Sequence, residues 1–122
     1  MTMRGREYLT KSEQYAAVYN KGSSWASKLV VVKALPNELT FSRCGFSVSQ
    51  RVGKAVVRNR TKRRLREILR LLPLEPGWDI IFIARSQAAS ASFASLRETV
   101  HSLLSRAGLL TREYEKACLR ID

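Results

Sequence analysis

The chain has 122 residues, 45% of them apolar, and a formal net charge of +12. That length fits one domain over residues 1–122, and the apolar share suffices for one core, which excludes a disordered basic tail. The positive excess implies a polyanionic partner, with RNA, DNA and an anionic membrane surface all qualifying.

Targeting and redox signals are sparse. The start, Met1 to Arg6, leads into polar sequence and not into the apolar stretch of a signal peptide. No apolar run approaches the ~20 residues of a membrane span. Cys44 and Cys118 are the two cysteines, too few for a metal cluster. Free thiols in a reducing cytoplasm are the expectation.

Thr10-Lys11-Ser12-Glu13 reads as a capping box, with Glu13 three residues after the capping threonine. Tyr15, Val18 and Tyr19 follow at helical spacing on one face. Gly22 stops this helix, predicted over residues 11–20. A short extra strand near residues 24–27 is weakly signalled. Leu29 to Leu35 is rich in β-branched residues and ends at Pro36-Asn37, so it predicts a strand and a turn. Residues 43–49 alternate: Cys44, Phe46 and Val48 on one side, Arg43, Ser47 and Ser49 on the other.

Residues 55–72 predict a second helix. At 100° per residue, Val57, Thr61, Leu65, Ile68, Leu69 and Leu72 fall within about 120°. Asn59, Arg60, Lys62, Arg63, Arg66 and Arg70 fall opposite, with Arg58 and Arg64 at the borders. Pro73 and Pro76-Gly77 end the helix. Trp78 to Ala84 is a nearly continuous apolar run, as in a strand buried on both faces. Residues 86–92 read as a loop. Phe93, Leu96, Val100, Leu103, Leu104 and Ala107 mark a third amphipathic helix, with Gly108 past its end. The tail, residues 111–119, predicts a short helical segment. The order gives an α+β fold, a two-layer α/β sandwich with a small mixed sheet of about four strands and three main helices.

Charge is concentrated in one stretch. Residues 51–70 hold nine basic side chains against one acid, Glu67. Arginine offers a planar fork of donors that suits phosphate oxygens, and lysine adds point charge. Asn59 can both donate and accept toward a ribose or base edge. On physics alone this is a nucleic-acid helix, with no choice between RNA and DNA; a solvated helix face is the bland alternative. His101 has no partner ligands in sequence, and Glu75 and Asp79 have no evident carboxylate partner. Trp78 and Phe82 read as core, and Cys44 as a buried thiol.

The run from Phe46-Ser47-Val48-Ser49-Gln50-Arg51 through Val52-Gly53-Lys54-Ala55-Val56-Val57 to Arg58-Asn59-Arg60-Thr61-Lys62-Arg63 resembles the signature of the bacterial ribonuclease P protein family. The close match covers about 20 residues, and the order of elements agrees over nearly the whole chain. The resemblance implies a left-handed βαβ crossover, an exception to the usual hand. It implies that the Arg-Asn-Arg helix faces a catalytic RNA through Lys54, Arg58, Asn59, Arg60, Lys62, Arg63 and Arg66. It further implies that Tyr15 and Tyr19 line a cleft for the single-stranded 5′ leader of precursor tRNA, with Ser47, Ser49 and Arg51 at its floor. Bases stack on aromatic faces with little sequence preference, which suits a protein serving many precursors. Tyrosine replaces the phenylalanine frequent in the family at both positions. Half-buried core packing of Tyr15 and Tyr19 is the competing reading, and the two are compatible. Gln50 stands where the family commonly has a basic residue, which removes one charge from the floor.

The function implied is that of a cytoplasmic ribonucleoprotein subunit. The catalytic RNA would supply the active site and hold Mg2+, so no catalytic or metal-binding residue is expected in this chain. No membrane and no further protein partner is required. A structural RNA-binding protein, such as a ribosomal protein, is the alternative; it explains the charge but not the aromatic pair. A stand-alone metal-dependent nuclease would need clustered acidic ligands that the sequence lacks.

Overall fold

In chain order the elements are strand β1 (Glu7–Tyr8), helix α1 (Ser12–Lys21), strands β2 (Ser23–Ala26), β3 (Val30–Pro36) and β4 (Arg43–Val48), helix α2 (Ala55–Arg70), strand β5 (Trp78–Ala84) and helix α3 (Phe93–Ala107). This computed structural model describes residues 7–115. Short 3-10 turns at Gln50–Val52 and Ser86–Ser90 follow β4 and β5.

The apolar run of β5 lies at the centre of the sheet, as its double-sided burial requires. The strand order is β1-β4-β5-β3-β2. β5 pairs antiparallel with β3 and parallel with β4, and α2 bridges β4 and β5. The sheet therefore holds the four expected strands plus β1, a two-residue edge strand parallel to β4. Nothing in Glu7-Tyr8 alternates long enough to mark a strand; its pairing is tertiary.

Alternation divides the sheet between two cores. Val30, Val32, Ala34, Cys44, Ile80 and Phe82 are buried on one face against α2 and α3. Leu65, Ile68 and Leu69 of α2 and Leu96, Val100, Leu103 and Leu104 of α3 complete that core. On the other face α1 buries Val18 against Leu9 and Ile81, with Tyr15, Leu35 and Ile83 packed around them. Fully burying one such aliphatic side chain contributes about 1.5–3 kcal/mol, so the larger core dominates stability.

The helix ends show where local sequence was misleading. Thr10 and Glu13 do not form the predicted capping box. The Gln14 side chain instead accepts from the backbone N–H groups of Thr10 and Lys11, at 2.9 and 3.0 Å, and the helix starts at Ser12. A glutamine three residues past Lys11 serves as well as an acid there. α3 behaves as expected: Ser92 accepts from the Ser95 N–H, and Gly108 ends the helix in the left-handed region at φ 72°. α2 stops at Arg70, not at residue 72, yet Leu72 remains buried in the core. The predicted loop over residues 86–92 contains the 3-10 turn Ser86–Ser90. In the tail, residues 112–115 are helical, and the remainder, including Cys118, lies outside the described residues.

Asp79 is buried at the start of β5, opposite Arg43 in register. Arg43 binds it bidentately, Nε to Oδ1 at 2.8 Å and Nη2 to Oδ2 at 2.7 Å. The Asn37 side-chain amide donates to Oδ1 at 2.9 Å. The pair fixes the β3, β4 and β5 ends together. Asp79→Ala leaves the Arg43 guanidinium half-buried beside an uncharged side chain, so urea denaturation should show a loss of about 2–3 kcal/mol. An unchanged midpoint would rule out this network as a stabilising clamp.

Candidate nucleic-acid interface

The two groups of predicted residues lie on two faces of one sheet. α2 carries the first. Its inward stripe is held by burial of Thr61, Leu65, Ile68 and Leu69, and the Thr61 hydroxyl is satisfied by the Val57 carbonyl at 2.9 Å. This fixes the rotation of the helix, and the basic side chains take what remains.

They do not form a uniform stripe. Asn59, Arg63 and Lys54 are exposed and project from the outer surface. Arg58 folds back, its Nε donating to the Gly53 carbonyl at 3.2 Å. Arg60 and Arg64 lean toward the segment after β5, with contacts to the carbonyls of Ala89 (3.4 Å) and Ala91 (3.2 Å). Arg66 leans the opposite way, its guanidinium carbon 5.8 Å from the Phe46 ring centroid. Lys62 is half-buried one turn before it. Arg70 pairs with Glu67, the lone acid of the stretch. The first turn of α2 holds no acid, so its positive dipole end adds to the field of Lys54. The result is a broad cationic surface with forks aimed in several directions, suited to a folded polyanion.

The second group lies on the α1 face. Gly45 of β4 is what lets α1 approach: a Cβ there would sit 2.7 Å from the Tyr15 hydroxyl and 2.9 Å from its ring. The Tyr15 ring therefore lies against β4, with its hydroxyl 3.4 Å from the Leu9 carbonyl. Tyr19, one turn on, is 40% exposed. Ser47 is half-buried on the same face, in register with Ile83. Ser49 has left the strand; its hydroxyl accepts from the Arg51 N–H and caps the turn Gln50–Val52. Arg51 is exposed on that turn, where the chain passes from the α1 face to α2. Arg43 shares the α1 face, but its guanidinium is engaged with Asp79.

Comparison with known proteins settles the class. The sequence profile of the family described as Ribonuclease P matches residues 3–108. The chain is 45% identical to the ribonuclease P protein component of Dehalococcoides mccartyi over 120 residues, covering 98% of this chain and all of that protein. It is 48% identical to that of Roseiflexus castenholzii over 105 residues, covering 84% of this chain and 86% of the relative. Among solved structures, the Staphylococcus aureus RNase P protein superposes with a TM-score of 0.78 at 30% identity, covering 88% of this chain and 98% of that one. The Thermotoga maritima RNase P protein gives 0.73 at 32% identity, covering 83% and 97%. The chain belongs to the ribonuclease P protein family.

Its function is accordingly that of a ribonuclease P protein component, part of an endoribonuclease, and not that of a ribosomal protein. No helix among the described residues is long and apolar enough to cross a membrane. Measured against a ribonuclease P protein role, sequence reasoning overlooked several groups. Arg85, at the end of β5, lines a depression with Ser49, Arg51, Ala84 and Ser86. A second depression joins Arg85 to Lys28, Ser27 and Gln87. Arg51, Arg85 and Lys28 are far apart in sequence: the parallel ends of β4 and β5 bring Arg51 to Arg85, and the antiparallel pairing of β3 with β5 brings Lys28 there. Lys33 is half-buried on the α1 face, in register with Ile81. Its place in a β-branched run hid it. Val56, 78% exposed on the cationic side of α2, is an apolar contact surface among charges.

Proposed function

We propose that this chain holds the catalytic RNA of ribonuclease P on its α2 face and the 5′ leader of precursor tRNA on its α1 face. The observation that supports this most is the two-faced sheet: a cationic helix on one side, Tyr15 and Tyr19 of α1 on the other, and Arg51 at the turn between them. The proposed RNA-subunit contacts are Lys54, Arg58, Asn59, Arg60, Lys62, Arg63 and Arg66. The leader runs past Tyr19 and Tyr15, over Ser47, and its phosphates continue along Ser49, Arg51 and Arg85. Gln50, uncharged, adds no phosphate contact there.

The reaction is hydrolysis of one phosphodiester, which leaves a 5′-phosphate on mature tRNA. The described residues contain no group of three or more His, Cys, Asp or Glu side chains that could hold a metal ion. Glu67 and Asp79 are already paired with arginines. We assign Mg2+ to the RNA subunit and binding to this chain. Its positive field lowers repulsion between two polyanions, and the leader contact favours precursor over product, because the product has no leader. The cytoplasm is the place of action we assign.

The test is cleavage of a leader-bearing precursor tRNA by a bacterial ribonuclease P RNA at low Mg2+, with and without the protein. Strong stimulation that needs both components is expected. Binding of the RNA without any change in cleavage would reduce the role to generic RNA binding.

A further inference from the structure

A second aromatic surface lies on the α2 side of the sheet, away from Tyr15 and Tyr19. Tyr8 of β1 is in register with Cys44, so its side chain shares the face of Cys44 and Phe46. Its ring centroid is 6.0 Å from that of Phe46, tilted by 47°, and the residue is 42% exposed. Phe46 is flanked by Phe82, its in-register neighbour on β5, with the rings stacked at 5.9 Å. The Arg66 guanidinium sits over the same Phe46 ring at 5.8 Å. Phe46 is thus a hub that holds an exposed tyrosine and an exposed arginine within reach of one nucleotide. Nothing in core packing requires Tyr8 to be aromatic on an outermost strand.

We infer that Tyr8, Phe46 and Arg66 form a stacking platform for an unpaired nucleotide of the catalytic RNA. Tyr8 offers a face to the base, and the Arg66 fork takes a neighbouring phosphate. Three features favour RNA as the occupant. Arg66 belongs to the cationic side of α2, with Lys62 one turn before it. Arg66 is exposed although its guanidinium sits over the Phe46 ring, so its donors remain open to a phosphate. The sheet itself separates this platform from Tyr15 and Tyr19, so the leader cannot occupy both. The inference rests on the assignment of α2 to the catalytic RNA.

The experiment uses the full chain and a bacterial ribonuclease P RNA, with Tyr8→Ala, Tyr8→Phe and Arg63→Ala compared by equilibrium binding at fixed salt. Tyr8→Ala should weaken binding about tenfold, the scale of one lost base stack, while Tyr8→Phe binds like the parent. The thermal midpoint and the precursor-to-mature tRNA affinity ratio of the holoenzyme should stay unchanged in both. Wild-type RNA affinity in Tyr8→Ala, with Arg63→Ala weakened, overturns the platform alone. Wild-type affinity in both overturns the α2 assignment as well. A fall in the precursor ratio without loss of RNA-subunit affinity would move the platform to the leader and also overturn the inference.

Discussion

The double substitution Arg60→Ala, Arg63→Ala is expected to weaken binding to ribonuclease P RNA by about tenfold at moderate salt and to flatten its salt dependence. Each phosphate neutralised releases counterions, so the slope of log affinity against log salt scales with the number of contacts. Two lost contacts should reduce its magnitude by about 1.4–1.8. Arg63 is exposed and Arg60 half-buried, with one long contact to the Ala89 carbonyl, so little stability goes with them. Arg58 is a poorer probe, because its link to the Gly53 carbonyl ties the start of α2 to the preceding turn. Lysine at positions 60 and 63 should restore the slope without restoring full affinity, since a point charge replaces a bidentate fork. A slope equal to that of the parent in the alanine variant would remove α2 as the phosphate contact.

Legibility in the sequence followed period. β5 and α3 match their predicted bounds, since a seven-residue run that is apolar but for Asp79 and a capped amphipathic helix each determine one solution. The cationic side of α2 was legible for the same reason: the buried stripe at 61, 65, 68 and 69 leaves only one orientation for the rest. What was not legible depends on register between distant segments. Tyr8 meets Phe46 because β1 pairs with β4, and Arg51 meets Arg85 because β4 and β5 run parallel. No local pattern encodes either contact. Gly45 is a further case: inside an alternating strand it reads as a gap, and only the packed structure shows that the gap admits the Tyr15 ring. The same holds for Arg43, whose phase placed it correctly on the α1 face while its engagement by Asp79 came from 36 residues away.

Tyr19→Ala is expected to lower affinity for leader-bearing precursor tRNA by about tenfold and leave mature tRNA binding unchanged, as one lost base stack would. The residue is 40% exposed, so its removal should shift stability by no more than about 0.5 kcal/mol. Tyr15→Ala should show the same loss of precursor binding together with a real loss of stability. Its ring fills the space above Gly45 and packs with Leu9, Val18 and Ile81, and truncating a half-buried aromatic there should cost about 1–2 kcal/mol. The two tyrosines thus separate packing from recognition. Gly45→Ala adds a third arm, because its new methyl group forces Tyr15 off the strand while the tyrosine itself is kept. Reduced precursor discrimination in Gly45→Ala would show that the position of the ring matters, beyond its presence. Equal losses for precursor and mature tRNA in Tyr19→Ala would instead show that the cleft reads something other than the leader, since the leader is the one part that mature tRNA lacks.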